Sequence, residues 1–347
     1  MKAIVVSRRG GPEVLEYVDV PDPAPGPLQA VVQVKAIGVN YRDIYARSDT
    51  APAPLSATGF PEVPPFIPGV EAAGVVVQVG SKVSEVAVGD LVAYYYNNTP
   101  DEANAAVPSG IRQMRSSYAE QVVVPAWRLA KVPPGVGAET AAAVITQGMT
   151  AHFLSHTIYP LKRGDTALVH AGAGGVGLLL IQMAKRRGAR VIATTSTEEK
   201  ARIAREAGAD ETILYTKQDF EAEAKRLTDG AGVNVVYDSV GLATFQKSMA
   251  CLARRGHLVS YGHASGHPPP VPVAAINRAS LFVTSPRLDH YTATRKEVLQ
   301  RAGDVLEGVR SGKLKVRIHG RFPLRDAAEA HRLLEGRGVI GKLVLIP

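Results

Sequence analysis

Two textures of hydrophobic and polar positions divide this chain. Residues 1 to about 125 carry short runs that are β-branched or alternate apolar with polar residues: KAIVV, EVLEYVDV, AVVQVKAIGV, GVVVQVG, DLVAYYY and YAEQVVV. Turn-forming stretches such as PDPAPGP and FPEVPPFIPG separate them. Short strands punctuated by Pro and Gly predict a mostly antiparallel β domain with few helices. The stretch 97–117 is polar and aperiodic, and reads as a surface loop.

From about residue 130 the texture changes. ALVHA, RVIATT, ETILY, VNVVYD and HLVSYG are nearly all apolar, as strands buried on both faces of a parallel sheet must be. Helical stretches alternate with them: VGLLLIQMAKRRG, TEEKARIAREAG, QDFEAEAKRLTDG and ATFQKSMACLARRG. Gly188, Gly208, Gly230 and Gly256 stand where helix C-caps belong. This alternation predicts right-handed βαβ crossovers and an α/β fold with a doubly wound parallel sheet. SLFVTS adds a strand and residues 293–311 a helix. The tail from KLKVRIHGRFPL to GKLVLIP returns to strand–helix–strand and can rejoin the first domain. The expected division is therefore 1–126 with 312–347 as the β-rich domain, and 127–311 as the α/β domain.

Composition narrows the function. The 46% hydrophobic and 21% charged content is that of a globular protein, and no apolar run is long enough to cross a bilayer. The start MKAIVVSRRGG lacks the pattern of a secretory signal. The single cysteine, Cys251, rules out an intramolecular disulfide and a cysteine-built zinc cluster, and a reducing cytoplasm is the expected compartment. The net charge of +8 is scattered in small clusters such as Arg8–Arg9, KRRGAR and Arg254–Arg255. None is long or interleaved with aromatics, so nucleic acid is not expected as a partner; a solvated surface that also serves an anionic cofactor accounts for the charge.

The candidate chemistry begins at HAGAGGVG, residues 170–177. Gly172, Gly174 and Gly177 fit G-x-G-x-x-G between an expected strand and an expected helix, and Gly175 and Val176 complete the turn. The first glycine permits a tight turn, the second lets a pyrophosphate approach, and the third lets helix pack on strand. The helix start then offers free N–H groups to phosphate. An NAD site places an acid about 20 residues on, to bond the ribose 2′-hydroxyl. Here that strand end holds Thr194, Thr195 and Ser196 instead. Small hydroxyls leave room for a 2′-phosphate, Lys200 can supply a cation, and Tyr215 can lie against the adenine. NADPH is therefore expected over NADH.

With GVNYRD at 38–43, PGVEAAG at 68–74, the GDLV turn at 89–92, YDSVG at 237–241, SLFVTSP at 280–286 and the terminal LVLIP, the chain resembles the medium-chain dehydrogenase/reductase superfamily. The zinc-free quinone oxidoreductases, including ζ-crystallin, are the most similar group, and the likeness covers nearly the whole chain. It implies a GroES-like catalytic domain beside a Rossmann domain, with a substrate cleft between them. Zinc-dependent members carry a Cys near Asn40 and a His near Val70; neither ligand is present, so no metal is expected. The pair His152/His156, spaced for one helix face, lacks an acid or third histidine nearby, and His263/His267 sit in a Gly/Pro-rich segment where spacing fixes little.

The same likeness implies that Asn40 and Tyr45 line the nicotinamide and substrate end, as hydrogen-bond donors that orient the acceptor. Thr150 approaches the nicotinamide ribose. Ser196, Lys200 and Tyr215 hold the 2′-phosphate end, and Ser239, Tyr261, Gly262, Thr284, Ser285 and Arg337 are further cofactor contacts. The expected activity is NADPH:quinone oxidoreduction on a small electrophilic acceptor, by a homodimer joined through SLFVTSP. Two alternatives stand beside it: reduction of activated alkenes such as enones, and an NADPH-binding protein with little turnover, as in crystallin-like or RNA-associated relatives.

Overall fold

A computed structural model describes residues 1–48, 64–95 and 117–347. The expected loop therefore lies outside the described residues, apart from Ser117, which is fully buried rather than on the surface. The chain forms two compact units, one of Met1–Thr146 with Thr292–Pro347 and one of Gln147–Tyr291.

The first unit opens with β1 (Lys2–Val6) paired antiparallel to β2 (Leu15–Asp19). It continues through β3 (Gln29–Gly38), helix α1 (Tyr41–Arg47), β4 (Glu71–Val79), β5 (Leu91–Tyr95), β6 (Gln121–Pro125) and β7 (Ala130–Lys131), and ends in α2 (Ala138–Phe153), within which the division between the units falls. The second unit holds β8 (Thr166–Val169), α3 (Gly175–Arg186), β9 (Arg190–Thr195), α4 (Glu198–Glu206), β10 (Glu211–Leu214), α5 (Phe220–Leu227), β11 (Val233–Asp238), α6 (Phe245–Ala250), β12 (Leu252–Ser260), α7 (Val273–Asn277) and β13 (Phe282–Thr284). The chain then returns to the first unit with α8 (Arg295–Arg310), β14 (Ile318–Pro323), α9 (Ala327–Glu335) and β15 (Lys342–Ile346).

The strands of the first unit's main sheet run β14-β15-β3-β4-β5-β7, with β6 also on β3. All pairs are antiparallel except β14–β15. Strand β3 pairs with β6 over Gln29–Gln33 and with β15 at Ile37 and Gly38. Its far end is thus closed by the last strand of the sheet. Side chains from β1, β3, β4 and β6 interleave with Phe66, Ile67, Leu129 and Leu343 in one core.

The second unit's six strands are parallel in the order β10-β9-β8-β11-β12-β13. Counted from β8 this is 3-2-1-4-5-6, the doubly wound order whose direction reverses between β8 and β11. Ligands of such sheets bind outside the carboxyl ends of the strands at that reversal.

Two expectations need correction. The stretch ending LARRG is strand, not helix: α6 stops at Ala250 and β12 begins at Leu252, so Gly256 lies inside a strand and caps nothing. Gly188, Gly208 and Gly230 do take the left-handed backbone expected after a helix. Residues 127–146 and 292–311 also cluster with the β-rich unit, not with the α/β unit. Arg295 ties part of this segment down by donating to the carbonyls of Ala126 (3.2 Å) and Trp127 (3.0 Å).

Candidate functional site

The glycine turn joins β8 to α3. The tight turn is made by Ala171, whose φ is 50°, and not by Gly172 as the motif suggests. Gly172 is required by packing instead: a Cβ there would stand 2.7 Å from the Cβ of Ala193 on β9. At Gly177 a Cβ would strike the Ala171 carbonyl oxygen and lie 3.0 Å from Gly172 Cα, so the third glycine seats the helix on the turn. At Gly175 it would collide with the Gln147 side chain. Gly174, the N-cap of α3, differs from all of these. Its Cβ would meet only the Ala171 oxygen, at 3.2 Å, and otherwise open space. The surface left bare at Gly174, beside the free N–H groups of a twelve-residue helix, fits a pyrophosphate.

At the end of β9, Thr194 and Thr195 are both buried but do different things. The Thr194 hydroxyl is 2.9 Å from His170 Nδ1. The Thr195 hydroxyl is buried with no hydrogen-bond partner, an uncompensated donor at the place where a 2′-phosphate is expected. Ser196 follows, half-buried, and its carbonyl accepts from Thr216. Thr197 caps α4 by accepting from the Lys200 backbone N–H, which sets Lys200 one turn in. Desolvation pulls the Lys200 ammonium below its ordinary range, Glu199 opposing. Tyr215 is exposed beyond β10, its N–H bonded to the Thr195 carbonyl.

The other expected contacts in this unit also fall at carboxyl ends: Ser239 after β11, Tyr261 and Gly262 after β12, Thr284 and Ser285 at and after β13. Thr150 lies on α2. A Cβ on Gly262 would come 2.9 Å from the Ser239 carbonyl, so these two strand ends lie together.

A buried chain of hydrogen bonds that the sequence reading missed runs beneath the glycine turn. Asp238 accepts from the backbone N–H groups of Val240 and Gly241, from Thr244, and from Ser248 at 2.8 Å. Because a carboxylate only accepts, Ser248 must donate to it and accept from His170 Nε2, 3.0 Å away. His170 therefore carries a proton on Nε2, and in the neutral ring Thr194 donates to Nδ1. Burial pushes the imidazole toward that neutral form, against the Asp238 charge. The ends of β8, β9 and β11 are locked together by this one directional chain.

In the first unit, Asn40 is the N-cap of α1 and Tyr45 stands on the same helix. Asn40 was expected to donate to the acceptor, and its geometry argues otherwise. Its Nδ2 donates to Glu71 Oε1 (2.7 Å) and to the Gly38 carbonyl (3.2 Å), and its Oδ1 accepts from Lys342 Nζ (2.9 Å). Both amide protons are therefore spent inside the protein. Lys342 and Glu71, 2.5 Å apart, are an ion pair at 1% and 0% side-chain exposure. The Tyr45 hydroxyl has no hydrogen-bond partner among the described residues, and burial raises the phenol's pKa, with Tyr41 adding to the shift. It stays a protonated donor. Arg337, beyond α9, is exposed with a φ of 57°.

A second directional chain starts at Asn40. The Asn40 N–H donates to Asp43 Oδ2 (2.8 Å), which also accepts from the Tyr118 hydroxyl (3.2 Å). Tyr118 in turn accepts from His331 Nε2 (3.0 Å), because His331 Nδ1 is taken by the donor-only Arg47 Nε (3.1 Å). Arg47 reaches Glu335 at 2.5 Å. Desolvation lifts the Asp43 carboxyl to about 7, and burial with the Arg47 charge lowers His331 to about 3.

A tetrahedral metal finds no donor set here. Val70 is apolar, Asn40 is already engaged, and the Glu71 charge is met by Lys342. The stacked rings of His152 and His156 stand 4.3 Å apart, and no group of three His, Cys, Asp or Glu converges among the described residues.

A 3-2-1-4-5-6 parallel sheet with this turn defines a Rossmann domain, joined in sequence to a GroES-like β unit. Comparison with known proteins agrees. Residues 26–134 match the alcohol dehydrogenase GroES-like domain and residues 175–304 the zinc-binding dehydrogenase family. The chain is 40% identical to a quinone oxidoreductase of Pseudomonas aeruginosa, covering 100% of this chain and 99% of the relative. It is 39% identical to a 2-haloacrylate reductase of a Burkholderia species, covering 99% and 98%. The solved structure of Escherichia coli quinone oxidoreductase complexed with NADPH superposes with a TM-score of 0.90 at 36% identity, covering 100% of both chains. The chain belongs to the quinone oxidoreductase group of the medium-chain dehydrogenase/reductase superfamily.

Proposed function

We propose that this protein is an NADPH-dependent quinone oxidoreductase. The observation that carries the reading is the β9 end: an unpartnered buried Thr195 hydroxyl, with Ser196 and Lys200 beside it, stands where an NAD enzyme has an acid. Full-length likeness to relatives named quinone oxidoreductase supplies the acceptor class.

When bound, the dinucleotide supplies hydride. The protein's residues do the rest. Gly174 and the α3 N–H groups receive the pyrophosphate, and Ser196, Lys200 and Tyr215 hold the phosphorylated adenosine. Thr150, Ser239, Tyr261, Gly262, Thr284, Ser285 and Arg337 complete the cofactor contacts. Tyr45 donates a hydrogen bond to the acceptor oxygen. Hydride addition to a quinone leaves a delocalised oxyanion, so a phenol donor and solvent suffice, whereas a simple aldehyde needs a Lewis acid. Pairing of two copies along the exposed edge strand β13, where Phe282 is 53% exposed, makes the proposed homodimer. We place the protein in the cytoplasm; among the described residues no helix is long and apolar enough to cross a membrane.

A second reading, reduction of activated alkenes, is favoured by the likeness to a 2-haloacrylate reductase. Parallel assays of NADPH and NADH oxidation with quinones, enones and 2-haloacrylates, in the presence of a chelator, decide between them. Quinone turnover with NADPH, retained under chelation, is the expected result. Faster turnover of alkenes would transfer the assignment to the second reading. Tight NADPH binding without turnover on any acceptor would overturn both.

A further inference from the structure

Gly175 stands outside the three glycines of the G-x-G-x-x-G turn, yet it too is glycine. Its backbone does not ask for one, because this first residue of α3 has no left-handed φ. A neighbour requires it instead. The space a Cβ would take is filled by the end of the Gln147 side chain, whose Cδ, Oε1 and Nε2 all meet it. Gln147 opens the part of α2 that belongs to the second unit. Its amide therefore lies against the start of α3, at the mouth of the glycine turn.

That amide is unspent. Gln147 is half-buried, and neither its N–H donors nor its carbonyl oxygen is hydrogen-bonded among the described residues. Other unused donors surround the same turn. The first N–H groups of α3 have no intrahelical acceptor, and Gly174 leaves the adjoining surface open. At the end of β9, where the Thr194 carbonyl accepts from the Gly172 N–H at 3.0 Å, the Thr195 hydroxyl is 2% exposed and has no partner. Thr150, three residues beyond Gln147 and so on the same face of α2, is half-buried as well. The residue type also suits an anion at this place. A lysine would be repelled by the positive end of α3, and a glutamate would itself occupy the free N–H groups. A neutral amide donates without doing either.

We propose that Gln147 is a dinucleotide-binding residue whose Nε2 donates to an oxygen of the pyrophosphate received at Gly174 and the α3 N–H groups. Gly175 is glycine in order to seat that amide. A pyrophosphate only accepts, so it selects the flip state that turns Nε2 toward it. This rests on the reading of the turn as an NADPH site.

Wild type, Gln147→Met and Gln147→Glu test it on the full chain. Thermal unfolding reads the unliganded Tm. Calorimetry reads dissociation constants for NADPH and for adenosine 2′-monophosphate, which has the phosphorylated adenosine but no pyrophosphate. The Gln147 side-chain amide is followed by its 15N–1H signals. Gln147→Met keeps the length of the side chain and removes its donors. NADPH binding should weaken about tenfold, monophosphate binding should stay within about twofold, and Tm should move by no more than about 2 °C. Gln147→Glu should give opposite signs: a Tm raised by about 1–2 °C, because the carboxylate caps α3, with NADPH binding weakened more than about tenfold. A residue that only packs against Gly175 would lower Tm and leave affinity alone. In wild type the amide signals should shift with NADPH and stay in place with the monophosphate. Wild-type NADPH affinity in Gln147→Met, equal losses for the two ligands, or amide signals unmoved by NADPH would each overturn the proposal alone. A wild type that does not bind NADPH would defeat the reading of the turn, and the proposal with it.

Discussion

The glycine turn permits a separation of folding from binding, using two substitutions three residues apart. In Gly174→Ala the new methyl meets one atom, the Ala171 carbonyl oxygen at 3.2 Å. The backbone there, φ −76° and ψ 170°, is open to any residue. The cost to folding should be at most about 1 kcal/mol, the loss of a glycine N-cap. The same methyl projects toward the surface that receives pyrophosphate. A charge-assisted hydrogen bond contributes about 1.5–3 kcal/mol, so displacing the ligand from one such bond weakens NADPH binding roughly ten- to hundredfold. In Gly177→Ala the methyl is driven into the Ala171 carbonyl and against Gly172 Cα at 3.0 Å, both of them backbone. Overpacking of that kind costs about 1–3 kcal/mol, a fall in Tm of a few degrees per kcal/mol. Thermal unfolding and NADPH fluorescence titration, run on both variants, measure the two axes. Wild-type NADPH affinity in Gly174→Ala, or a Tm drop there as large as in Gly177→Ala, would refute the assignment of the two glycines.

Four further expectations can be checked. Asp43, raised to about 7 by burial, contributes stability in acid that is lost as pH rises through 7. His331, lowered to about 3 by burial and Arg47, contributes stability at neutral pH that is lost as pH falls from about 6.5. The two oppose each other between about pH 4 and 6.5, so Asp43→Asn should steepen the acid loss measured by urea unfolding and His331→Gln should flatten it. Lys200→Ala should lower the preference for NADPH over NADH at least about tenfold in kcat/KM, with NADH kinetics little changed. Tyr45→Phe should reduce quinone turnover about ten- to hundredfold while NADPH binding is spared; undiminished turnover would remove Tyr45 from catalysis. Phe282→Glu should convert the proposed dimer to monomer by sedimentation velocity, and a monomeric wild type would remove that proposal outright.

The parallel sheet was legible because its signals are local. RVIATT and VNVVYD are nearly all apolar and coincide with β9 and β11, and the glycines after α3, α4 and α5 are forced by a left-handed backbone. The glycine run located the β8–α3 turn, although not that Ala171 carries its left-handed residue. LARRG misled because Leu252 and Ala253 suit a helix, while pairing with β11 decides for a strand. What could not be read is the polar interior. Glu71 and Lys342 are 271 residues apart, and Arg47 and His331 are 284. No periodicity links such partners; only folding shows that a charged residue beside the apolar run LVLI is buried and paired. The engagement of both Asn40 amide protons inside the protein was equally hidden, because Glu71 and Lys342 lie far from it along the chain.

The late arrival of Lys342 bears on how the molecule is made. At about 5–20 residues per second, the ribosome needs roughly a quarter of a minute to a minute to travel the 271 residues from Glu71 to Lys342. Throughout that interval the nascent β3–β4 sheet lacks both its neighbour β15 and the counter-ion for a carboxylate destined for the interior. Residues 147–291 form a contiguous unit and need wait for nothing downstream. Biogenesis should therefore run from the inside of the sequence outward, with the nucleotide unit folded first and the β-rich unit sealed only when its final strand is delivered.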